Sequence, residues 1–193
     1  MIRKNQHVYD CSSLEGKGVD LNRNYEYKFG IDNSGSSNVE CEEDYRGPNA
    51  FSEPETQAVR DFVVSHSLLK IAINFHAWGN LFITPFNYSN DRDASELKNN
   101  FPGAAAFYDD IWENGGVPSN SIKGSGILTV LYTANGEASD WMLKEHGVYG
   151  MSPELGISDK RSEEFFIIDS NILKQVLQDN YKWIEYTLAK LHP

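Results

Sequence analysis

Four polar side chains in this sequence are of types that can bind and activate a small substrate. Asn22 and Arg23 are adjacent, and a guanidinium fork binds a carboxylate in a two-point contact while an amide adds a neutral donor. His76 follows the apolar run at residues 71–75, and a neutral imidazole at a strand end is a suitable metal ligand. Glu154 also ends an apolar run. Partial desolvation there would raise its pKa towards the range useful for proton transfer.

Each of these side chains also has an ordinary structural interpretation. An isolated arginine such as Arg23 is more often a solvated surface residue. A histidine after an apolar strand is more often a hydrogen-bonded core residue, and Glu154 could cap a helix or join a salt bridge. Residue type alone therefore does not separate a functional site from a structural one.

Three short apolar runs predict strands, at residues 70–75, 81–84 and 148–154. His76 lies at the end of the first run and Glu154 at the end of the third. Sites in layered α/β folds lie at the carboxyl ends of strands, so both residues are candidates for one site.

Helices are predicted between and after these strands. Ser52 is expected to cap the first helix, and Gly147 is expected to end the helix at 136–146. Residues 94–114 are helical in pattern, with a start or a kink at their Pro-Gly pair, and 171–191 form a long amphipathic helix. The alternation of strands and helices predicts an α/β layered fold.

Composition and charge exclude several classes of protein. The 193 residues suffice for one domain, and the formal net charge of -11 without any Lys and Arg stripe argues against a nucleic-acid partner. No run of about 18 apolar residues occurs, so we expect no membrane span. Cys11 and Cys41 permit one disulfide, which would indicate an oxidising compartment, or two separate buried thiols.

Four separated segments resemble, in order and in spacing, the zinc carboxypeptidases of the A/B type. They are Gly-Val-Asp-Leu-Asn-Arg-Asn-Tyr at 18–25, Phe-His-Ala-Trp-Gly at 75–79, Leu-Tyr-Thr-Ala-Asn-Gly-Glu-Ala-Ser-Asp-Trp at 131–141 and Ser-Pro-Glu-Leu at 152–155. The resemblance extends from Arg3 to about Gly156. It implies an α/β fold with a mixed, mostly parallel sheet flanked by helices, of which residues 1–193 form a partial catalytic domain without its N-terminal part.

The resemblance implies roles for three catalytic and metal-binding residues. His76 corresponds to the third zinc ligand of the family. Glu154 corresponds to the general base that activates the zinc-bound water and passes the proton to the leaving amine. Arg3 corresponds to the arginine that polarises the scissile carbonyl and stabilises the oxyanion.

The resemblance also implies how the substrate is held. Asn22 and Arg23 correspond to the pair that holds the terminal carboxylate, and Tyr132 to the mobile tyrosine that closes over the substrate. Ser139 stands at the position that reads the side chain of the C-terminal residue. A serine there implies a neutral pocket and uncharged C-terminal residues, although nearby Glu137 would favour basic ones.

The first two zinc ligands of the family come from a His-x-x-Glu motif, and no histidine of this sequence has Glu three residues later. A catalytic zinc needs three protein ligands. The chain is therefore either a fragment of an ordinary enzyme or a shortened relative that lost catalysis. The retained Glu154, Tyr132, Asn22 and Arg23 favour the fragment, for which we predict marginal stability. Cys11 and Cys41 lie near a disulfide pair of the digestive members, with Cys11 displaced.

These observations predict a zinc-dependent metallocarboxypeptidase that releases single C-terminal amino acids from peptides, with Zn²⁺ as cofactor and this chain alone lacking two zinc ligands. The alternative is an inactive module that binds peptide C-termini through Asn22 and Arg23. A third option, an amidohydrolase of small acylated amino acids, is disfavoured by that pair and by the Tyr132 loop. We expect a monomer whose partners are peptide or protein C-termini, with no nucleic acid and no membrane. The family and the disulfide favour a secreted, extracellular or vacuolar location.

Overall fold

The computed structural model describes residues 3–5, 7, 11, 17–156 and 170–191. In this part of the chain a short 3-10 turn, Leu21–Arg23, precedes the regular elements. The helices are α1 (Pro54–Ser65), α2 (Ser95–Asn100), α3 (Pro102–Asn114), α4 (Gly126–Thr129), α5 (Ala138–His146) and α6 (Ser170–Leu191). The strands are β1 (Ile71–Ile73), β2 (His76–Ala77), β3 (Leu81–Ile83), β4 (Ile122–Gly124), β5 (Tyr149–Met151) and β6 (Glu154–Leu155).

The strands form a mixed and mostly parallel arrangement, as predicted. In the described ranges β1 pairs with β5, β2 with β6 and β3 with β4 in parallel. Among the described strands, one antiparallel pairing joins β3 to β6, with Leu81 opposite Glu154. β1 and β2 are consecutive along the chain, as are β5 and β6. The β2–β6 pair therefore continues the parallel pairing of β1 with β5 as far as His76 and Glu154.

Two predicted elements are interrupted by proline. The predicted strand at 148–154 is divided into β5 and β6, because Pro153 has no backbone N–H to donate to a ladder. Its carbonyl still accepts a hydrogen bond from the His76 N–H at 2.9 Å, which keeps the two strands in register. The predicted helix at 94–114 is divided into α2 and α3, and Pro102 is the first residue of α3.

The predicted helix cap at Ser52 is wrong. The residue that precedes α1 is Glu53, and it makes no side-chain cap hydrogen bond. The Ser52 hydroxyl instead donates to Glu53 Oε1 at 2.7 Å and accepts from Asn24 Nδ2 at 2.9 Å. Long-range contacts to Asn24 therefore replace the local cap.

Helix α5 has well-defined ends, and its start contributes to the site. The Glu137 carboxylate accepts hydrogen bonds from the backbone N–H groups of Ser139 and Asp140 in the first turn. Gly147 ends the helix in the left-handed conformation, with φ 64°. As predicted, the helix stops at His146.

The core consists of two aromatic-rich clusters. One cluster joins the sheet to α3 and α6 and contains Phe82, Phe86, Tyr108, Ile111, Leu143, Met151 and Trp183. The other lies between α1 and α5 and contains Tyr25, Phe51, Val63, Trp141, Met142 and Val148. On α1 the side chain of Val63 is buried, whereas that of the adjacent Phe62 is exposed.

Several large apolar side chains are exposed after α1, before β2 and along α6, including Leu68, Phe75, Leu177 and Tyr181. Cys11 and Cys41 form a disulfide with a Cα–Cα distance of 5.6 Å, which excludes the interpretation as two separate thiols. No helix of the described residues combines the length and the apolar character needed to cross a lipid bilayer.

Candidate functional site

A pocket open to solvent lies where β1 and β5 end and β2 and β6 begin. His76 and Glu154 enter it from neighbouring strands, because they are register partners in the β2–β6 pair. The polar residues that line the pocket are Arg3, Asn22, Arg23, His76, Asn87, Tyr132, Glu137, Ser152 and Glu154. The other lining residues are Ile83, Gly126, Val130 and Ala134.

The Leu21–Arg23 turn places Arg23 at the pocket. Asp20 accepts a hydrogen bond from the Asn22 N–H at 3.0 Å and a second from Arg3 Nε at 2.8 Å. The Arg23 Nη1 atom donates to the Asn22 carbonyl at 2.9 Å and lies 4.0 Å from Asp20 Oδ2. Arg23 is only 5% exposed, and its Nε atom has no hydrogen-bond partner. The guanidinium is thus held in place with a free donor.

The Asn22 amide is oriented by groups that can only donate or only accept a hydrogen bond. Its Oδ1 accepts from the Ala138 N–H and from Asn74 Nδ2, both at 3.2 Å. Its Nδ2 donates to Glu137 Oε1 at 3.2 Å. A backbone N–H only donates and a carboxylate only accepts, so this assignment of the amide is the one that satisfies both.

His76 lies against the same amide. Its Nε2 atom is 3.2 Å from Asn22 Nδ2, and because Asn22 presents a donor, the ring nitrogen must accept. Burial lowers the pKa of His76, and Arg3 and Arg23 lower it further, whereas Glu137 and Asp20 act in the opposite direction. The neutral ring is the form that a metal would bind.

Glu154 has an unsatisfied carboxylate oxygen. Its Oε2 atom is buried without a hydrogen-bond partner. Burial raises the pKa of Glu154 to about 7, although the nearby Arg3 and Arg23 lower it in part. A carboxyl group with this pKa can take up or release a proton near neutral pH.

Of the predicted substrate-binding residues, Tyr132 lies at the pocket and Ser139 does not. Tyr132 lines the pocket with 51% of its surface exposed, so it is not a core aromatic. Ser139 is buried and does not line the pocket. Its hydroxyl donates to Glu137 Oε2 and accepts from Asn87 Nδ2 at 3.3 Å. The first turn of α5 directs Ser139 towards its own cap residue, and Glu137 forms the pocket wall in its place.

Asn87 and Glu137 complete the polar wall of the pocket, and Glu137 is the acid that the sequence placed near the side chain of the C-terminal residue. The Asn87 amide donates to Glu137 Oε2 at 3.2 Å, and its Oδ1 accepts from the Gly126 N–H at 2.8 Å. Nothing local in the sequence distinguishes Asn87. Glu137 lies inside the helix predicted at 136–146, whereas α5 begins at Ala138 with Glu137 as its cap, and its position in the pocket depends on the distant Asn22.

The described residues do not by themselves fit a catalytic zinc site. No group of three or more His, Cys, Asp or Glu side chains in this part of the structure is arranged to hold a metal ion. His76 is the candidate ligand in the pocket, and a catalytic zinc takes three protein ligands. A zinc site built on His76 would need two ligands from outside the described residues.

Comparisons with known proteins identify relatives of this chain. The family model described as zinc carboxypeptidase matches residues 1–182. A metallocarboxypeptidase A-like protein of Trichophyton verrucosum is 32% identical over 154 residues, which cover 75% of this chain and 33% of that protein. Carboxypeptidase A1 of Bos taurus is 31% identical over 140 residues, covering 72% of this chain and 32% of that protein.

Solved structures resemble the fold over almost the whole chain. A structure of bovine thrombin-activatable fibrinolysis inhibitor in complex with tick carboxypeptidase inhibitor has a TM-score of 0.73 and 25% identity, covering 97% of this chain and 61% of that one. Carboxypeptidase A from Helicoverpa armigera has a TM-score of 0.70 and 24% identity. The chain spans about a third of the length of the curated relatives that it matches.

Proposed function

This chain is a member of the zinc carboxypeptidase family, and on that premise we propose that it binds the free carboxyl end of a peptide. Arg23 and Asn22 hold the terminal carboxylate, and the side chain of the last residue enters the pocket beyond them. Residues 1–193 are then part of a catalytic domain whose partners are peptide or protein C-termini.

One observation carries this proposal: the buried Arg23 has a donor without a partner at the wall of an open pocket. An unsatisfied buried donor costs free energy, on the order of 1–3 kcal/mol, and more for a charged group. A ligand that brings a carboxylate to Arg23 Nε would remove this cost and form a charge-assisted hydrogen bond. The specificity for chain ends follows because an internal peptide bond offers no carboxylate.

The pocket also carries groups suited to chemistry at the last peptide bond. Glu154 has a free oxygen and a pKa raised to about 7, which suits an acid or base near neutral pH. Arg3 is held by Asp20 at 2.8 Å and lies at the pocket wall, where a guanidinium would stabilise negative charge on a carbonyl oxygen.

For the zinc-bound protein we propose that the reaction is release of single C-terminal amino acids. Zinc would supply Lewis-acid chemistry and an activated water, with His76 as one of its ligands. Since the described residues do not complete the ligand set, no hydrolytic step is assigned to them. The disulfide between Cys11 and Cys41 supports an oxidising location, such as the extracellular space or a vacuole.

A second candidate function is that of a metal-free module that binds peptide C-termini. The residues that would hold a carboxylate are all present in the pocket, whereas the described zinc ligands are incomplete. Such a module would need Asn22 and Arg23 but neither zinc nor an ionised Glu154.

The two functions are separated by measuring binding and release on the same peptides. Isothermal titration of a short peptide with a free C-terminus, in the presence of a chelator, tests the carboxylate clamp, and its C-terminal amide is the control ligand. Arg23→Met should abolish binding of the free acid, whereas Arg92→Met, an exposed arginine, should not. Equal binding of acid and amide would disprove the clamp.

Mass spectrometry of the same peptides after addition of zinc tests the hydrolase. Release of single C-terminal residues that depends on zinc and is lost in Glu154→Gln would establish the peptidase. Binding without any release at saturating zinc would support the metal-free module.

A further inference from the structure

Glu137 is a buried acid at the wall of the substrate pocket. It is 2% exposed and stands directly before α5, yet it lines the same pocket as Arg23 and Glu154. It caps α5 and orients the Asn22 amide, and it also faces the space that a ligand would occupy.

All of the hydrogen bonds that Glu137 makes come from donors. Its Oε1 accepts from Asn22 Nδ2 and from the Ser152 hydroxyl. Its Oε2 accepts from the N–H and the hydroxyl of Ser139, from the Asp140 N–H and from Asn87 Nδ2. Four of these groups are N–H groups that can only donate, which favours the carboxylate anion, and the two serine hydroxyls can donate to it as well.

The part of the chain that the structure describes provides no counter-ion within ion-pair distance of this anion. Among the described residues, no lysine, arginine or histidine nitrogen lies within 4.0 Å of the Glu137 carboxylate, whereas Asp20 has Arg3 and Asp110 has Lys190. The neighbouring acid Asp140 accepts only from neutral donors, the N–H and amide of Asn87 and the N–H of Tyr88. A buried charge without an ionic partner is costly, and a ligand cation would be attracted to it strongly because the surroundings are poorly polarisable.

The remaining walls suit a long side chain with a charged end. Ile83, Val130 and Ala134 provide apolar surface beside the acid, and the methylene stem of lysine or arginine packs on such surface. Glu137 is hydrogen-bonded both to Asn22 of the carboxylate clamp and to Asn87, which also lines the pocket. A residue whose carboxylate is held by Arg23 would therefore direct its side chain past Glu137.

We propose that the pocket selects a C-terminal residue with a cationic side chain, lysine or arginine, and that Glu137 is the acid that determines this specificity. The proposal rests on the proposed function, because it takes the Arg23 clamp as the anchor. It replaces the expectation of uncharged C-terminal residues that Ser139 suggested, since Ser139 does not reach the pocket and is a donor to Glu137.

The test compares two ligands that differ only in the charged end of the side chain. Isothermal titration of the full chain with Nα-acetyl-L-lysine and with Nα-acetyl-L-norleucine should show the lysine derivative binding at least about tenfold more tightly. Nα-acetyl-L-lysine amide should not bind, because it lacks the carboxylate. If neither acid binds, the clamp itself is disproved. If norleucine binds as well as lysine or better, the clamp stands and the selection of a cation is overturned.

A variant then tests whether Glu137 is responsible. Glu137→Gln should reduce the ratio of the two affinities to about one while norleucine still binds, and Glu26→Gln, an exposed acid, should leave the ratio unchanged. A lysine preference that survives in Glu137→Gln would show that another group selects the cation. Near-UV circular dichroism checks that the variant is folded. If it is not, the comparison of the two ligands on the unchanged chain still decides the proposal.

Discussion

His76 and Glu154 are register partners in two adjacent parallel strands, although 78 positions separate them in the sequence. The His76 N–H binds the carbonyl of Pro153 at 2.9 Å, directly before Glu154. A backbone pairing thus brings the candidate metal ligand and the candidate base to one pocket. It leaves the Glu154 carboxylate buried with one oxygen unsatisfied.

The raised pKa of Glu154 predicts a pH-dependent cost to stability. In the folded chain the carboxyl titrates at about 7 rather than at its ordinary value of 4.5, so between these values the folded state binds more protons than the unfolded state. Stability should therefore fall as pH rises through this window. Replacing Glu154 by Gln removes this dependence, and the variant should gain on the original chain by roughly 2 to 3 kcal/mol between pH 5 and pH 8.

Urea unfolding of both chains at pH 5 and pH 8, with a chelator present, measures this difference. Glu145→Gln on the exposed end of α5 is the matched control and should show no such gain. A Glu154→Gln chain that does not gain stability relative to the original between these two pH values would contradict the buried, unsatisfied carboxylate.

Two glycines with similar backbone conformations should respond differently to alanine. Gly136 and Gly147 have φ of 67° and 64°, but a Cβ at Gly136 would lie 2.3 Å from the Arg23 carbonyl oxygen, whereas one at Gly147 meets nothing within 4 Å. Gly147→Ala should cost only about 1 kcal/mol for the left-handed conformation. Gly136→Ala should cost more and should weaken binding of a free peptide C-terminus, because it displaces the turn that carries Arg23.

Thermal unfolding and titration with a free-acid peptide test the two glycine variants together. Equal losses of stability with unchanged binding in both would show that the close approach of Gly136 to Arg23 has no consequence for the site.

The disulfide should contribute substantially to stability. Cys11 and Cys41 enclose a loop with a sequence separation of 30, and a crosslink of this size typically contributes about 2–4 kcal/mol by restricting the unfolded chain. The double variant Cys11→Ser, Cys41→Ser should unfold at a lower urea concentration by that amount. The unchanged chain in reducing buffer should behave in the same way, and a variant with undiminished stability would show that the crosslink is dispensable.

Trp183 attaches α6 to the core. It is fully buried and packs edge-on against Phe82, and its Nε1 donates to Asn180 Oδ1 at 2.8 Å. Trp183→Ala should cost about 3–5 kcal/mol. Tyr181→Ala, two residues away but exposed, should cost little. Denaturant unfolding followed by far-UV circular dichroism compares the two, and a small loss at Trp183 would contradict its place in the core.

Elements with a strong local signal could be predicted from the sequence, and those that depend on remote partners could not. The stop at Gly147 and the break at Pro102 follow from backbone restrictions of glycine and proline, which act within a few residues. The cap predicted at Ser52 failed because its hydroxyl is engaged by Asn24, 28 positions earlier.

The pocket for the C-terminal side chain also depends on remote partners that the sequence does not reveal. A serine at 139 and a glutamate at 137 were both visible, but the sequence could not say which of them faces the substrate. The helix start at Ala138 turns Glu137 into the cap of α5, and Asn22, Asn87 and Ser152 hold its carboxylate at the pocket wall. These contacts join segments 15 to 115 positions apart.

The sequence by itself determined the chemical repertoire of this protein: an amide and guanidinium pair, a histidine, a glutamate and a tyrosine, on an alternating pattern of strands and helices. Residue type and local pattern suffice for that, because donor chemistry and backbone propensity are properties of single residues and their neighbours. Only the tertiary structure decided which donors stay unsatisfied, which acid is buried without a counter-ion and how many metal ligands meet. Those properties arise from the packing of distant segments, which excludes water and determines every partner.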